Sequence, residues 1–399
     1  MIPGNFVRAI CSALTAVPLV AGAGQSSPSF AERQKPMFAL LKVEEAWKIT
    51  RGGPACAIGV VDSGFDFFHP ALRANLKPGW FAPGVYHTDF FAMDAHGTLV
   101  ASIIGGRRED GSDGMWGLAP DCTILTASHG MPIHALARFQ GEILAKNPNA
   151  SMADIQKEMA AHGEELRTFA ETWIDFVFGA EADAIRYLAD HNARVINISG
   201  FLETTRLAAK PELKARFEAA LAYAKEKDAL IVLASGNNDR RVTDYPGDRE
   251  FIIIAGASTL ADRRWTMSTK LMGTEIRQGS SYGPRLNVVA PIENIVYAAP
   301  HEQAYYSWND TPMGRQKTDF EAPYAVAPWG ATSMAAPQVA ALAALVRTIR
   351  PDLKAREIIR LIEQGADDIP PDGFDEETGY GRINFLKTLE LARKAGTSQ

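Results

Sequence analysis

Apolar and polar positions fall into blocks of two kinds along this chain. Short unbroken apolar runs rich in β-branched residues occur at Ala57 to Val61 and Ala229 to Ala234. Each has the length and make-up of a parallel strand buried on both faces. Longer stretches at helical spacing lie between and after them: Leu99 to Ile104 opens one, and Val339 to Val346 is so apolar that it reads as a helix buried all round. Leu166, Phe169, Trp173 and Val177 form a further stripe at helical spacing, with Ser151 and Asp154 upstream placed like a capping box. That stripe suits packing on the domain better than binding a cofactor. Strands alternating with helices predict an α/β fold with a mostly parallel central sheet and helices on both faces. Two further stretches stand out: 129–178, helical in its second half, and a segment near 293–329. The second is rich in aromatics (Tyr297, Tyr305, Tyr306, Trp308, Phe320, Tyr324, Trp329), has little periodicity and reads as a long loop.

The chemistry-bearing side chains fall where these elements break. The first strand ends in Asp62-Ser63-Gly64, which puts a carboxylate at the carboxyl edge of the sheet, where open α/β folds place their sites. Asp94-Ala95-His96-Gly97-Thr98 sets an imidazole at a helix start, and the run Ala229 to Ala234 leads into Ser235-Gly236-Asn237. Gly330-Ala331-Thr332-Ser333-Met334-Ala335-Ala336-Pro337 then sets a serine on a small-residue turn ahead of the apolar helix, with Pro337 fitting that helix's first turn. By itself the octapeptide has two readings. Thr332-Ser333 is a helix N-cap, or Ser333 is an accessible nucleophile facing free backbone N–H groups.

Taken together, these segments resemble the subtilisin-like serine proteases, or subtilases. The Asp motif is matched by Val61-Asp62-Ser63-Gly64-Phe65-Asp66 with His69-Pro70, and the His motif by His96-Gly97-Thr98-Leu99-Val100-Ala101. Ala234-Ser235-Gly236-Asn237 resembles the oxyanion motif, and Thr332-Ser333-Met334-Ala335-Ala336-Pro337 the Ser motif. Connecting pieces match from Trp47 to Leu391, among them Gly117-Leu118-Ala119-Pro120, Tyr245-Pro246-Gly247 and Gly379-Tyr380-Gly381. The order Asp, His, Ser separates this family from the chymotrypsin and α/β-hydrolase orders.

The resemblance implies a subtilisin-like three-layer fold, lengthened relative to a minimal subtilase by a helical insertion near 129–178 and a long loop near 293–329, and an endopeptidase working through an acyl-enzyme on Ser333. His96 is the implied base, because its ordinary pKa lies near neutrality, with Asp62 holding its tautomer and Asn237 donating to the oxyanion. It also implies that the substrate runs beside Ser199-Gly200 and Ala234-Ser235-Gly236, and that Asp244 lines the pocket for the side chain before the cut bond. A carboxylate there favours Lys or Arg, unless Asp244 faces solvent or pairs with Arg240 or Arg241. Gly330, Leu99, Gln338 and Ala341 depart from the family pattern without removing any of the four catalytic groups. Two other classes stay open: a transamidase or macrocyclase of the same fold, which passes the acyl group to an amine, and an inactive binding module.

Composition narrows the rest. A chain of 399 residues, 46% hydrophobic, can bury one large α/β core with insertions. A net charge of −6 offers no basic patch for nucleic acid, and no apolar run is long enough to span a bilayer. The expected partner is therefore a polypeptide substrate, and oligomeric state is left open. No HExxH or Cys/His cluster marks a transition-metal site, and no cofactor is required. Calcium is common in the family, but Glu109 to Gly114 is only a weak loop for it. Cys56 and Cys122 open strands that the resemblance makes neighbours, as buried thiols or as a disulfide. Arg8 followed by Ala9 to Ala23, closing on Ala21-Gly22-Ala23, makes 1–28 a signal peptide or an N-terminal extension before a catalytic domain at 38–395. Export is favoured over a cytoplasmic enzyme.

Overall fold

The structure, a computed structural model, describes residues 28–83, 96–109, 111–130, 146–147, 163–200, 207, 209–271, 274–299 and 323–395. The run 1–27, the capping-box pair Ser151 and Asp154, Asp94, Asp110, and the aromatics from Tyr305 to Phe320 lie outside these residues.

A seven-stranded sheet forms the middle layer. Its strands are β1 (Ala57–Asp62), β2 (Leu76–Phe81), β3 (Thr123–Ser128), β4 (Val195–Ile198), β5 (Leu230–Ala234), β6 (Ile252–Ser258) and, after a hairpin of β7 (Thr266–Leu271) and β8 (Thr274–Gly279), β9 (Val288–Pro291). The order is β2-β3-β1-β4-β5-β6-β9, and every pairing within it is parallel. All carboxyl ends of the strands therefore share one edge. Strands β4, β5, β6 and β9 are buried at every position, which is what continuous apolar runs between two helical layers should give.

The helices are α1 (Phe30–Leu41), α2 (Val43–Trp47), α3 (His96–Gly105), α4 (Gly163–Asp190), α5 (Pro211–Glu226), α6 (Thr332–Ile349), α7 (Ala355–Gly365) and α8 (Phe385–Lys394). Helices α3 and α6 pack on each other and on the sheet, as do α4 and α5, giving the three layers. Helix α6 is buried from Thr332 through Arg347. Val339, Leu342, Leu345 and Val346 are fully enclosed. Each such side chain contributes about 1.5–3 kcal/mol through burial, so the helix under the site is one of the best-anchored elements of the domain. Helix α1 begins on a reciprocal cap, Ser29 N donating to Glu32 Oε2 at 2.9 Å and Glu32 N to Ser29 Oγ at 3.2 Å. It docks through a paired amide contact between Gln34 and the Trp116 backbone at 2.8 and 2.9 Å.

Two expectations change here. Helix α4 runs unbroken from Gly163 to Asp190, so the second half of the insertion and the helix before Val195 are one element. The stretch near 293–329 is not all loop, because β10 (Glu293–Ala298) and β11 (Tyr324–Trp329) form an antiparallel ladder with Glu293 opposite Trp329. Cys56 and Cys122 precede the paired residues Ala57 and Thr123 on β1 and β3, and both are free thiols. The contact with Cys56, and then burial, pushes the Cys122 thiol well up.

Candidate active site

Asp62 is the last residue of β1 and only 4% exposed. Its Oδ1 accepts from Ser63 N at 2.8 Å, from Ser63 Oγ at 3.1 Å and from His96 Nδ1 at 2.8 Å. Burial pushes this carboxyl up, but the charge and hydrogen bond of His96 outweigh it, helped by His129 and the Ser63 N–H, and the net shift is downward. Since a carboxylate can only accept, the His96 Nδ1 carries its proton and Nε2 is left as the basic nitrogen.

A close approach sets that contact. His96 is the first residue of α3, and Gly97 follows it. A Cβ on Gly97 would lie 2.2 Å from the Gly64 carbonyl oxygen and 3.1 Å from Asp62 Cβ. Only glycine lets the helix start sit this tightly on the turn after β1. Thr98 fastens the far side of the turn by accepting from Asp66 N at 2.9 Å. Asp66 is itself buried and accepts from Phe68 N at 2.9 Å, so it shapes the turn. His69 is fully buried, its Nε2 2.6 Å from the Pro323 carbonyl, and packs beside the Asp turn.

Ser333 stands in the first turn of α6, 9% exposed. The N-cap is Ala331, which makes no side-chain bond, so Thr332-Ser333 is not the cap. Pro337 lies a turn further in than the sequence suggests, and this matters chemically. A proline cannot donate to the carbonyl four residues earlier, and here that carbonyl belongs to Ser333. The Ser199 hydroxyl supplies the missing donor at 3.0 Å, and Asn197 Nδ2 donates to Ser199 Oγ at 2.8 Å. The strand end at Ser199 is thereby tied to the backbone of Ser333. Gly330, which departs from the family pattern, leaves room for Met334, whose Sδ would be 2.1 Å from a Cβ there.

Asn237 follows β5 and the turn at Gly236, whose φ of +99° suits glycine. Its Oδ1 accepts from Thr332 N at 2.9 Å and Thr332 Oγ1 at 2.7 Å, while Thr332 Oγ1 accepts from Gly236 N at 3.2 Å. With the oxygen so engaged, the Asn237 amide N–H groups are turned to the other side of the side chain. Ser333 N, as a first-turn donor, has no acceptor within the helix. Asn237 and Ser333 thus belong to one hydrogen-bonded junction.

The remaining expected residues are placed unevenly. Gly200 follows Ser199 at the same edge and is half-buried. Ala234 and Ser235 are buried, and Ser235 spends its groups inward: N to the Ala255 carbonyl at 2.9 Å, O from the Tyr245 hydroxyl at 2.8 Å and Oγ with Ser280 Oγ at 3.2 Å. Asp244 is exposed and lies in the field of Arg285, while Arg241 pairs with Glu376 at 2.5 Å. In the calcium-candidate loop, Asp113 accepts from Phe30 N at 2.7 Å and Glu109 pairs with Arg73. Those two carboxylates are committed elsewhere, and no acidic or Cys/His cluster able to hold a metal occurs among the described residues.

One residue of this edge escapes a reading of the sequence. Glu181 on α4 is 3% exposed, and its Oε2 is buried with no hydrogen-bond partner. Its Oε1 would be 3.1 Å from a Cβ on Gly200. Burial, and next the negative charge of Asp62, pushes its carboxyl up to about 8. An acid inside Phe178-Gly179-Ala180-Glu181-Ala182 is the available signal.

Comparison with known proteins agrees with this geometry. The subtilase family model (peptidase S8) matches residues 53–381. A thermophilic serine proteinase of Bacillus sp. strain AK1 is 30% identical over 86% of this chain, and the chain spans 64% of that relative's length. Mycosin-4 of Mycobacterium tuberculosis is 28% identical over 98% of this chain and 75% of its own. The solved structure of the MycP3 protease from the type VII (ESX-3) secretion system superposes with a TM-score of 0.61 at 22% identity, covering 94% of this chain and 91% of that one.

Proposed function

The chain belongs to the subtilase family of subtilisin-like serine proteases, and on that premise we propose that it is an endopeptidase cutting polypeptides through an acyl-enzyme on Ser333. The observation that carries the reading is the 2.8 Å bond from His96 to buried Asp62, at the sheet edge that also holds Ser333 and Asn237. Ser333 Oγ attacks the scissile carbonyl carbon as His96 Nε2 takes its proton, and Asp62 stabilises the imidazolium that forms. The tetrahedral oxyanion is met by the Asn237 amide and the Ser333 N–H, whose positions are set before any substrate arrives. His96 then returns the proton to the leaving amine, and water repeats the sequence on the acyl-enzyme. Ser199-Gly200 and Gly236 flank the path of the substrate backbone. None of these steps calls for calcium.

Ser333→Ala and wild type, each treated with a fluorophosphonate probe and an unstructured protein substrate, test the reading. Wild type alone should label and cleave. Labelling without cleavage points instead to transfer of the acyl group to an amine, and no labelling of wild type overturns the assignment of Ser333. Among the described residues no helix is long and apolar enough to cross a membrane. The apolar run Ala9 to Ala23 supports export, which recovery of the mature N-terminus outside the cell would test.

A further inference from the structure

A buried carboxyl without a partner is expensive, and such groups in folded proteins call for a reason. Glu181 is one. Its position narrows the reasons available. Oε1 faces the Cα of Gly200, the residue after Ser199, and Ser199 is bonded to the backbone of the nucleophile. Strands β1 and β4 are hydrogen-bonded neighbours, so the Asp62 and Gly200 ends of those strands lie side by side, with Glu181 next to Gly200. A Cβ at 200 would crowd that oxygen at 3.1 Å, and glycine there keeps it clear of one.

We propose that Glu181 is a specificity-determining residue of the cleft, receiving the cationic side chain of a Lys or Arg from a polypeptide lying along Gly200. This rests on the endopeptidase reading. The chemistry of the surroundings selects a cation. Asp62 adds negative potential at the same edge, and the low-dielectric setting strengthens a charge pair formed there. A metal ion is poorly served, because no group of three or more acidic, His or Cys side chains able to hold one occurs among the described residues. A neutral donor would leave the field of Asp62 unanswered. A Lys ammonium or Arg guanidinium beside Gly200 meets both the carboxyl, through Oε1, and that field.

Protons then couple to selectivity. The carboxyl is held protonated near neutrality by burial and by Asp62, the charged group that acts on it from β1; His96 on α3 and His129 after β3 act in turn on Asp62. When a cationic side chain docks, Glu181 loses its proton to solvent and the pair forms. Below pH 8 that proton must be displaced, so discrimination for Lys over an uncharged analogue of equal length should grow as pH rises.

The test uses two peptide sets differing only by Lys or norleucine at each position before the scissile bond. Wild type should prefer Lys at one of these positions by about tenfold or more in kcat/KM, expressed in KM. Glu181→Gln, which keeps shape and loses charge, should bring that ratio close to unity. A preference that survives in Glu181→Gln, or no Lys preference at any position, overturns the inference. If that variant does not fold, wild type suffices: the Lys-to-norleucine ratio should climb between about pH 6 and pH 9, and a flat ratio overturns the inference. Failure of wild type to cut any peptide, with Ser333 unlabelled by a fluorophosphonate, overturns the endopeptidase reading as well. Cleavage of the norleucine peptides without discrimination overturns this inference alone.

Discussion

Replacing Gly97 with alanine probes how the base is held. The new methyl would sit 2.2 Å from the Gly64 carbonyl oxygen, closer than the 3.0 Å that real Cβ atoms respect. Both sides of that contact are backbone, so no side-chain rotation relieves it. The start of α3 has to retreat from the turn after β1 by about 0.8 Å, the gap between those two distances. His96 moves with it, and its 2.8 Å bond to Asp62 opens. Misplacing a catalytic group by about 1 Å costs on the order of 10²-fold in rate. Overpacking of this kind costs about 1–3 kcal/mol in stability, which a domain of this size survives. The expected outcome is a folded protein whose kcat/KM has fallen by roughly two orders of magnitude, mostly in kcat, with fluorophosphonate labelling slowed alongside. Gly53→Ala, where a methyl meets nothing within 4 Å, is the control. Peptide kinetics and a thermal melt on each variant decide the matter. Unchanged kcat in folded Gly97→Ala would refute the argument that this contact positions His96.

Three other outcomes follow from the geometry. Thr332→Val removes the hydroxyl that bonds both Asn237 Oδ1 and Gly236 N, so kcat should fall about tenfold with KM little changed, and Thr332→Ser should recover most of it. The ceiling is the loss of the Asn237 donor itself, about 10²–10³-fold, the size of effect seen for the equivalent asparagine of subtilisin, a relative of this protein. Arg347, 6% exposed, donates to Asp228 Oδ2 at 3.1 Å and to the Asp228 carbonyl at 2.7 Å; Arg347→Ala should destabilise the fold by about 3–5 kcal/mol in urea melts while leaving kcat unchanged. Glu181, raised to about 8, holds its proton in the folded state when an unfolded chain would release it, so stability should decline as pH rises from the ordinary carboxylate range through 8, and Glu181→Gln should flatten that decline in thermal melts.

The parts of this molecule that can be read from sequence are those where a local signal and the final environment coincide. Asp62, His96, Asn237 and Ser333 stand at element boundaries marked by apolar runs on one side and glycine or small residues on the other, and the fold keeps those boundaries. The β10–β11 ladder is hidden because its strands pair across intervening chain, and pairing is a tertiary fact that an aromatic-rich segment does not announce. The β7–β8 hairpin is hidden because Thr266–Gly279 is largely polar and lacks a clear apolar alternation. Sequence pattern sets Pro337 too near the helix start, because the helix extends back through Ser333 to Thr332 and only the backbone reveals it. Glu181 is marked in sequence only by its apolar and small neighbours, and its burial depends on what β1 and β4 bring beside it.

The parallel sheet orders its strands β2-β3-β1-β4-β5-β6-β9, so neighbours in space are distant along the chain, and Asp62 and Ser333 come from opposite ends of it. Contacts of such long sequence separation form slowly and together. A ribosome therefore releases the base and its carboxylate long before it makes the nucleophile. Until α6 slides under the sheet, the emerging polypeptide is a substrate without an enzyme, and the appearance of activity reports that α6 has docked.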